Sequence, residues 1–410
     1  MGKISMKARI EVIEKQKAQY KKASKKEKGL ILTNICESTG YSRDRAARLL
    51  GMVKKEKATK TNKNEKRGRK IEYTKELVET LEKLWVLLDF SCGKRLKVGI
   101  PPMIEALERH EEMIFYNEIK QKLLKISASS IDRLLKPSKL DLAFKGVSNT
   151  KPGSLLKKDI PIRLGTEWDD AIPGYVEIDL VAHCGDSAHG EFVSTLDVTD
   201  ICTGWTETRA VINKAQRHVF TALMHIESDM PFKYLGIDSD NGSEFINAHL
   251  YKYCKTNNIC FTRGRPNKSN DNCYVEQKNW SVVRRNIGYY RYEGQVAVDA
   301  LNSYYNNLRL YTNFFLPQAK LISKERIGSK VKKKYDAPKT PYQRTLENEN
   351  ISKNVKDQLT AIYLSLKPMA IKREMIKQLE ILANIALPYA SLKLKKEKVL
   401  TSTSSCDIVK

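Results

Sequence analysis

The sequence predicts an α/β protein: a mixed five-stranded sheet covered by helices, with helical blocks before it and a basic, largely helical C-terminal region after it. Three observations predict it. Up to residue 137 the apolar residues recur at helical spacing, whereas from Gly174 they alternate. From Gly174 onward, strand and helix signals follow in the order β-β-β-α-β-α-β-α. Charge is also segregated: of a net +25, residues 1–70 carry +15, residues 171–290 carry −2 and residues 291–410 carry +11.

With 410 residues, 41% hydrophobic and 30% charged, the chain has material for roughly two to four globular domains. An excess of 73 Lys+Arg over 48 Asp+Glu favours a polyanionic partner, most often nucleic acid. A lysine-heavy, AT-rich coding bias would give the same excess without that partner. The eight cysteines include no Cys-x-x-Cys pair, which argues against a zinc knuckle. In a chain of this size without a recognisable signal peptide they read as reduced thiols. No apolar run approaches the ~18 residues of a membrane span, so a cytoplasmic protein without a membrane partner is expected.

Residues 1–53 read as a first DNA-binding domain. Residues 1–28 are Lys-rich and helical in pattern; then Gly40 allows a sharp turn and Ser42 is a good N-cap. In the helix that follows, Ala46, Leu49 and Leu50 form a packing face, while Arg45 and Arg48 share another, with Arg43 at its start. This is the pattern of a helix-turn-helix with Ser42–Leu50 as the groove-reading helix. An ordinary helical hairpin with solvated arginines has the same pattern. Residues 54–72 are a basic linker: Lys54 to Lys70 holds nine basic and two acidic residues, and its Arg67 and Arg69 suit phosphates or a minor groove.

Residues 73–137 form a second helical, helix-turn-helix-like domain. Leu77, Leu81, Leu84 and Trp85 keep helical spacing, Gly99-Ile-Pro-Pro102 is expected to interrupt, and Met103–Leu107 to restart a helix. At its end Ser127 caps a helix in which Ile131, Leu134 and Leu135 pack and Arg133 points outward; Pro137 stops it. Residues 138–172 read as an extended connector.

Residues 173–316 read as the central domain. Tyr175–Val181, Phe192–Val198 and Gly204–Val211 form an antiparallel meander, Ala215–Ser228 is helical, Tyr234–Asp238 is a strand, Ser243–Asn257 is helical, Ile259–Thr262 is a strand and Asn272–Asn286 is a helix. This order is similar to the ribonuclease H-like plan. In that plan strands one and four are neighbours, so Asp179 on the first and Asp240 after the fourth converge. Glu276 comes from a helix packed across the sheet. Alternatives stay open residue by residue. Asp179 has Glu177 two positions earlier on its strand, Asp238 rivals Asp240, and Glu276 alone would pass for a solvated helix residue. Glu244 reads as a helix N-terminal charge. His183, Cys184 and His189 lie in a turn with no matching partner pair and read as structural.

Three carboxylates suit Mg²⁺, a hard ion that takes carboxylate oxygens, water and phosphate. Two such ions roughly 4 Å apart activate a water or 3′-hydroxyl and stabilise the leaving oxygen of a phosphodiester. The segments Glu177-Ile-Asp-Leu-Val181, Ser239-Asp-Asn-Gly-Ser-Glu-Phe245 and Tyr274-Val-Glu-Gln-Lys-Asn279, with 35 residues between Asp240 and Glu276, resemble the DDE transposases of bacterial insertion sequences, which carry a retroviral-integrase-like core. The resemblance covers residues 170–316. It implies a polynucleotidyl transferase that cleaves element ends and joins them to target DNA. Asp179, Asp240 and Glu276 would be both its catalytic residues and its metal ligands, with Asp179 bridging two Mg²⁺ ions (Mn²⁺ as substitute). It further implies double-stranded DNA partners (terminal inverted repeats and target), a homo-oligomer and a nucleoid-associated place in the cytoplasm. The chain departs from the pattern in two ways. It lacks the His/Cys zinc module of retroviral integrases, and the basic positions four and seven after the catalytic Glu hold Trp280 and Val283. Lys278, Arg284 and Arg285 stand in as expected DNA contacts.

Residues 317–350 read as a basic, broken segment with a Lys run beside Tyr335, suited to phosphate contact or to solvent. Residues 351–410 return to helical periodicity before their final residues. Two other functions fit the same chain: an inactive transposase-derived DNA-binding repressor, and a ribonuclease H-type nuclease.

Overall fold

Where apolar and polar residues alternate the chain is extended, and where they recur every three to four residues it is helical. The computed structural model describes residues 5–51, 73–139, 172–240, 242, 244–264, 273–327 and 330–387. The expected linker, with Arg67 and Arg69, and residues 140–171 of the expected connector lie outside the described residues. The chain divides into two compact units, Met1–Lys70 and Ile71–Lys410.

The first unit holds three helices, α1 (Met6–Lys22), α2 (Lys25–Thr39) and α3 (Arg43–Gly51), around Ile13, Ile31, Ile35, Ala46 and Leu50. Ser24 and Glu27 form a reciprocal capping box at the start of α2. Gly40 ends that helix at φ 69°, the left-handed conformation glycine adopts without a Cβ penalty.

The second unit begins with α4 (Lys75–Leu87), α5 (Gly93–Arg109), α6 (Asn117–Lys125), α7 (Ala128–Leu134) and the short α8 (Lys136–Lys139). The sequence led us to expect a break at Pro101-Pro102, yet α5 runs through both prolines. Two backbone donors are lost there. Burial of Leu96, Ile100, Met103, Ile104 and Leu107 along one face holds the helix across the gap. These helices share one continuous hydrophobic core with the sheet that follows.

The sheet comprises β1 (Tyr175–Ala182), β2 (Ser194–Asp200), β3 (Thr206–Val211), β4 (Gly236–Ser239) and β5 (Cys260–Arg263), in the order β3-β2-β1-β4-β5. β2 and β3 run antiparallel to their neighbours, while β4 and β5 join parallel to β1. Helix α9 (Gln216–Asp229) precedes β4 and α10 (Ala248–Thr256) precedes β5. This is the mixed five-stranded sheet with surrounding helices that the sequence predicts, with β1 at its centre.

Side chains alternate across a strand, so register assigns the two faces. One face carries Val176, Ile178, Leu180, Leu196, Val198, Ile237 and Phe261. The other carries Glu177, Asp179, Thr195, Asp197, Thr199, Asp238 and Thr262. Helix α11 (Cys273–Lys278) packs on β1 and β2. It continues through a wide π-type turn, Asn279–Arg284, into α12 (Arg285–Ile287).

The free edge of β3 is covered by α13 (Gly294–Phe315). Asn302 takes the Ala210 N–H at 2.8 Å and returns a bond to the Ala210 carbonyl at 3.2 Å. Asn313 does the same for Thr206, at 3.0 and 2.9 Å. Beyond α13 the segment expected to be broken instead forms a two-stranded ribbon, β6 (Leu321–Ile327) and β7 (Lys330–Tyr335). Helices α14 (Pro341–Glu347), α15 (Lys353–Ser365) and α16 (Pro368–Ile385) follow, with α16 packed along α13.

Candidate active site

The polar face of the sheet is built around Asp179. Its Oδ1 accepts from the Leu180 N–H at 2.8 Å, and its Oδ2 accepts from Asn279 Nδ2 at 2.6 Å. Burial is the main force on this carboxyl, and the nearby charge of Asp240 is the next. Together with Glu276, and against the two hydrogen bonds, they raise its pKa to about 7. Asp179 therefore feels both other members of the expected triad.

Asp240 directly follows β4. Its Oδ1 accepts from the Gly242 N–H at 2.8 Å, closing a tight turn. A Cβ on Gly242 would lie 2.8 Å from that oxygen and 2.7 Å from Glu244 Cδ, so a larger residue there would displace one or both carboxylates. Burial raises the Asp240 carboxyl, the Gly242 bond opposes it, and the charge of Glu244 adds to the rise. Its rival Asp238 is fully buried within β4 and accepts from Thr262 Oγ1 at 2.5 Å.

Glu276 is exposed on α11, and partial burial of its carboxyl raises its pKa. Its helix is aimed by Glu177, which is fully buried. Glu177 Oε2 accepts from the N–H groups of Tyr274 (2.9 Å) and Val275 (3.0 Å) in the first turn of α11. A carboxylate at a helix N-terminus satisfies donors the helix cannot satisfy itself and complements its dipole. So the second acid of Glu177-Ile-Asp179 is Asp179, and the first is the anchor that presents Glu276. Asn279, three residues after Glu276 and so on nearly the same helical side, supplies the amide that holds Asp179.

Sequence reasoning passed over Glu177 as an anchor, and did not find Asn279 or Asp197. The first two carried a usable signal: Glu177 shares the strand face of Asp179, and Asn279 shares the helix side of Glu276. Asp197 carried none, because its place opposite Asp179 depends on the register of β2. Asp197 is fully buried, and burial drives its pKa up; the charge of Lys278 opposes that and the charge of Asp179 reinforces it.

The expected DNA contacts are placed as follows. Lys278 is buried, with its ammonium donating to the Gly204 carbonyl at 3.2 Å and to Gln318 Oε1 at 2.5 Å; burial lowers its pKa. Arg284 donates to the Ala182 carbonyl at 2.7 Å, and exposed Arg285 donates to the Asp89 carbonyl at 2.6 Å. Val283 is fully buried and Trp280 is 59% exposed, on either side of the wide turn. Arg133 is exposed beside Ser130. In the first unit Arg43 bonds back to Thr33 and Gly29, Arg45 lies over the Tyr41 ring at 4.5 Å, and Arg48 is exposed. His183 is buried, with Nε2 2.7 Å from Thr195 Oγ1, and burial lowers its pKa to about 3, as suits a structural histidine.

The donor set around Asp179 is oxygen-rich, with carboxylates and an amide and no thiolate. Among the described residues, no group of three or more His, Cys, Asp or Glu side chains is placed so that it could hold a metal ion. Carboxylate and amide oxygens are the donor type a hard cation takes, with water and substrate oxygens completing its shell.

No family model matches the chain. The uncharacterized protein y4rM of Sinorhizobium fredii (strain NBRC 101917 / NGR234) is 39% identical over 344 residues, spanning 83% of this chain and 96% of y4rM. Among solved structures, the HTLV-2 integrase catalytic core domain in complex with magnesium (dimeric form) is similar at 14% identity, with a TM-score of 0.28, over 36% of this chain and 91% of that one. The catalytic core domain of BIV integrase is similar at 16% identity and a TM-score of 0.29, over 43% and 95%. Both scores are low, and the fold described above rests on its own strand order and register.

Proposed function

The chain belongs to the same family as y4rM of Sinorhizobium fredii, and we propose that it is a DNA transposase: a polynucleotidyl transferase that cleaves element ends and joins them to target DNA. The observation that supports this reading is geometric: β4 pairs with β1 up to Ile178–Ser239, so Asp240 comes next to Asp179, and Asn279, three residues past Glu276, donates to Asp179 at 2.6 Å. The three acids come from far apart in sequence: Asp179 from the central strand, Asp240 from just past the neighbouring strand and Glu276 from an exposed position on α11.

Asp179, Asp240 and Glu276 would hold Mg²⁺, or Mn²⁺ in its place. When bound, two such ions make a water or 3′-hydroxyl nucleophilic and stabilise the leaving oxygen. The protein's own part is positioning. Asn279 fixes the rotamer of Asp179, the Gly242 turn fixes Asp240, and Glu177 fixes the helix that presents Glu276. The duplex would be read by the first unit as a helix-turn-helix, with Arg45 and Arg48 on α3, and transposition of paired ends would need a homo-oligomer. Among the described residues no helix is long and apolar enough to cross a membrane.

The test is strand transfer of a labelled duplex carrying the inverted repeat that flanks the gene, with Mg²⁺, comparing wild type with Asp240→Asn. Joined products lost in the variant are expected. Binding without joining by wild type would overturn the reading in favour of a repressor, and cleavage of RNA–DNA hybrid alone would overturn it in favour of a nuclease.

A further inference from the structure

Residues 320–335 hold seven lysines and arginines against one acid, Glu325. No apolar alternation marks them as strands, yet β6 and β7 pair, with Lys324 opposite Lys333 and Glu325 opposite Lys332. An isolated two-stranded ribbon is marginal in water. Lys332, Lys333, Lys334 and Tyr335 are all exposed. Because strand residues alternate, the lysines serve both faces of β7. Ile322, 59% exposed, adds an apolar side chain on β6 near the ribbon's base, at the irregularity between Leu321 and Ser323. The nearby ion pairs lie beyond the ribbon's base, Asp336 with Arg344 and Lys339 with Glu347.

That base is held firmly. Lys320 N donates to Asp336 Oδ1 at 2.6 Å and Asp336 N to the Lys320 carbonyl at 3.0 Å. Gln318 and Lys339 exchange backbone bonds at 2.8 and 3.0 Å, and Lys320 Nζ donates to the Cys202 carbonyl at 2.9 Å. Gln318 also accepts the Lys278 ammonium at 2.5 Å, two residues beyond Glu276. The ribbon therefore springs from a base bonded to the helix that carries Glu276.

We propose that β6 and β7 form a clamp for duplex DNA that lies in a groove and holds the duplex against the carboxylates. This rests on the transferase reading above. The major groove of B-form DNA, about 12 Å wide, admits a two-stranded ribbon. The major groove of A-form RNA is too narrow for side chains to enter. Lys332, Lys333 and Lys334 meet phosphates, and Tyr335 and Ile322 offer surface to sugars and bases.

The experiment is fluorescence anisotropy of a labelled duplex with the full chain, without divalent metal, across a range of KCl. Wild type is compared with the triple variant K332A/K333A/K334A and with Lys333→Glu alone, both checked for a wild-type melting temperature. The plot of log affinity against log salt becomes shallower by about 2.7 in the triple variant, at ~0.9 per lost phosphate contact. Affinity near 100 mM KCl falls at least about tenfold, since those contacts supply counterion release. Lys333→Glu moves the slope the same way by about one contact. Wild-type slopes in both variants, with wild type binding DNA normally, overturn the clamp and leave the transferase reading standing. Equal competition by double-stranded RNA overturns the groove assignment. Failure of wild type to bind duplex overturns both.

Discussion

The two faces of the five-stranded sheet are made by the same strands and do opposite work. On one, Val176, Ile178, Leu196, Val198 and Ile237 are buried hydrocarbon, and burial stabilises them. On the other, Glu177, Asp197 and Asp238 are fully buried and Asp179 is half-buried, and desolvation raises the carboxyls of Asp179 and Asp197. A one-residue shift along any strand separates a position that holds the fold from one that strains it. The difference teaches that the acidic face costs stability and the apolar face offsets it; on the function proposed above, that cost is kept for chemistry.

The sharpest way to break this comparison is to remove charge from the acidic face. Asp179→Asn, Asp240→Asn and Glu276→Gln should each lower strand transfer at least ~10³-fold, since a metal clamp supplies several kcal/mol of transition-state stabilisation. Far-UV circular dichroism should stay unchanged. Retained joining by any of the three would end its assignment.

Ile178→Ala tests the opposite face. It should cost about 3 kcal/mol of unfolding free energy, within the range for buried aliphatic truncations, read as a lower urea midpoint. If Asp179→Asn destabilised the protein more than Ile178→Ala, the two faces would not differ as described.

Glu177 belongs to the acidic face by position and to the scaffold by its bonds. Glu177→Ala should cost about 2 kcal/mol by leaving two helix donors unsatisfied, and should lower kcat at least about tenfold through misplacement of Glu276. Glu177→Gln, whose carbonyl still accepts both bonds, should recover most of the stability. Equal kcat in wild type and Glu177→Ala would refute the positioning role.

The smallest effect is on stability against pH. Folded Asp179 keeps its proton up to a pKa of about 7, while the unfolded group titrates near ~3.9. Between those values the folded state binds more protons, so this group lowers stability as pH rises. Asp179→Asn should therefore gain in melting temperature over wild type as pH rises from ~4 to ~7, by a few degrees, and level off above that. Mg²⁺ should raise the melting temperature of wild type and not that of the variant. A gain that shrinks with rising pH would contradict the sign.

The order of strands was legible because alternation and turn residues are local, and the three carboxylates could be named as candidates because motif spacing is local too. The break expected at Pro101-Pro102 failed because tertiary burial along α5 outweighs two lost donors. The β6–β7 ribbon escaped because its strands carry no apolar period to announce them. Asp197 and the Lys278–Gln318 bond depend on register and on contacts between distant segments, which no window of sequence contains. Val283 and Trp280 looked like departures from a basic pattern; the wide turn after Lys278 gives them different settings, one in the core and one in solvent.

The pair Asn302 and Asn313 has a consequence for assembly. An outermost strand with free amides and carbonyls is a template for another chain. Here Ala210 and Thr206 already have their backbone partners in two side-chain amides from one helix. Copies of this protein therefore cannot join by extending the sheet past β3 without first peeling that helix away. A multimer gathered on DNA would have to use other surfaces, and the crowding of many copies on one molecule of DNA would not zip them edge to edge.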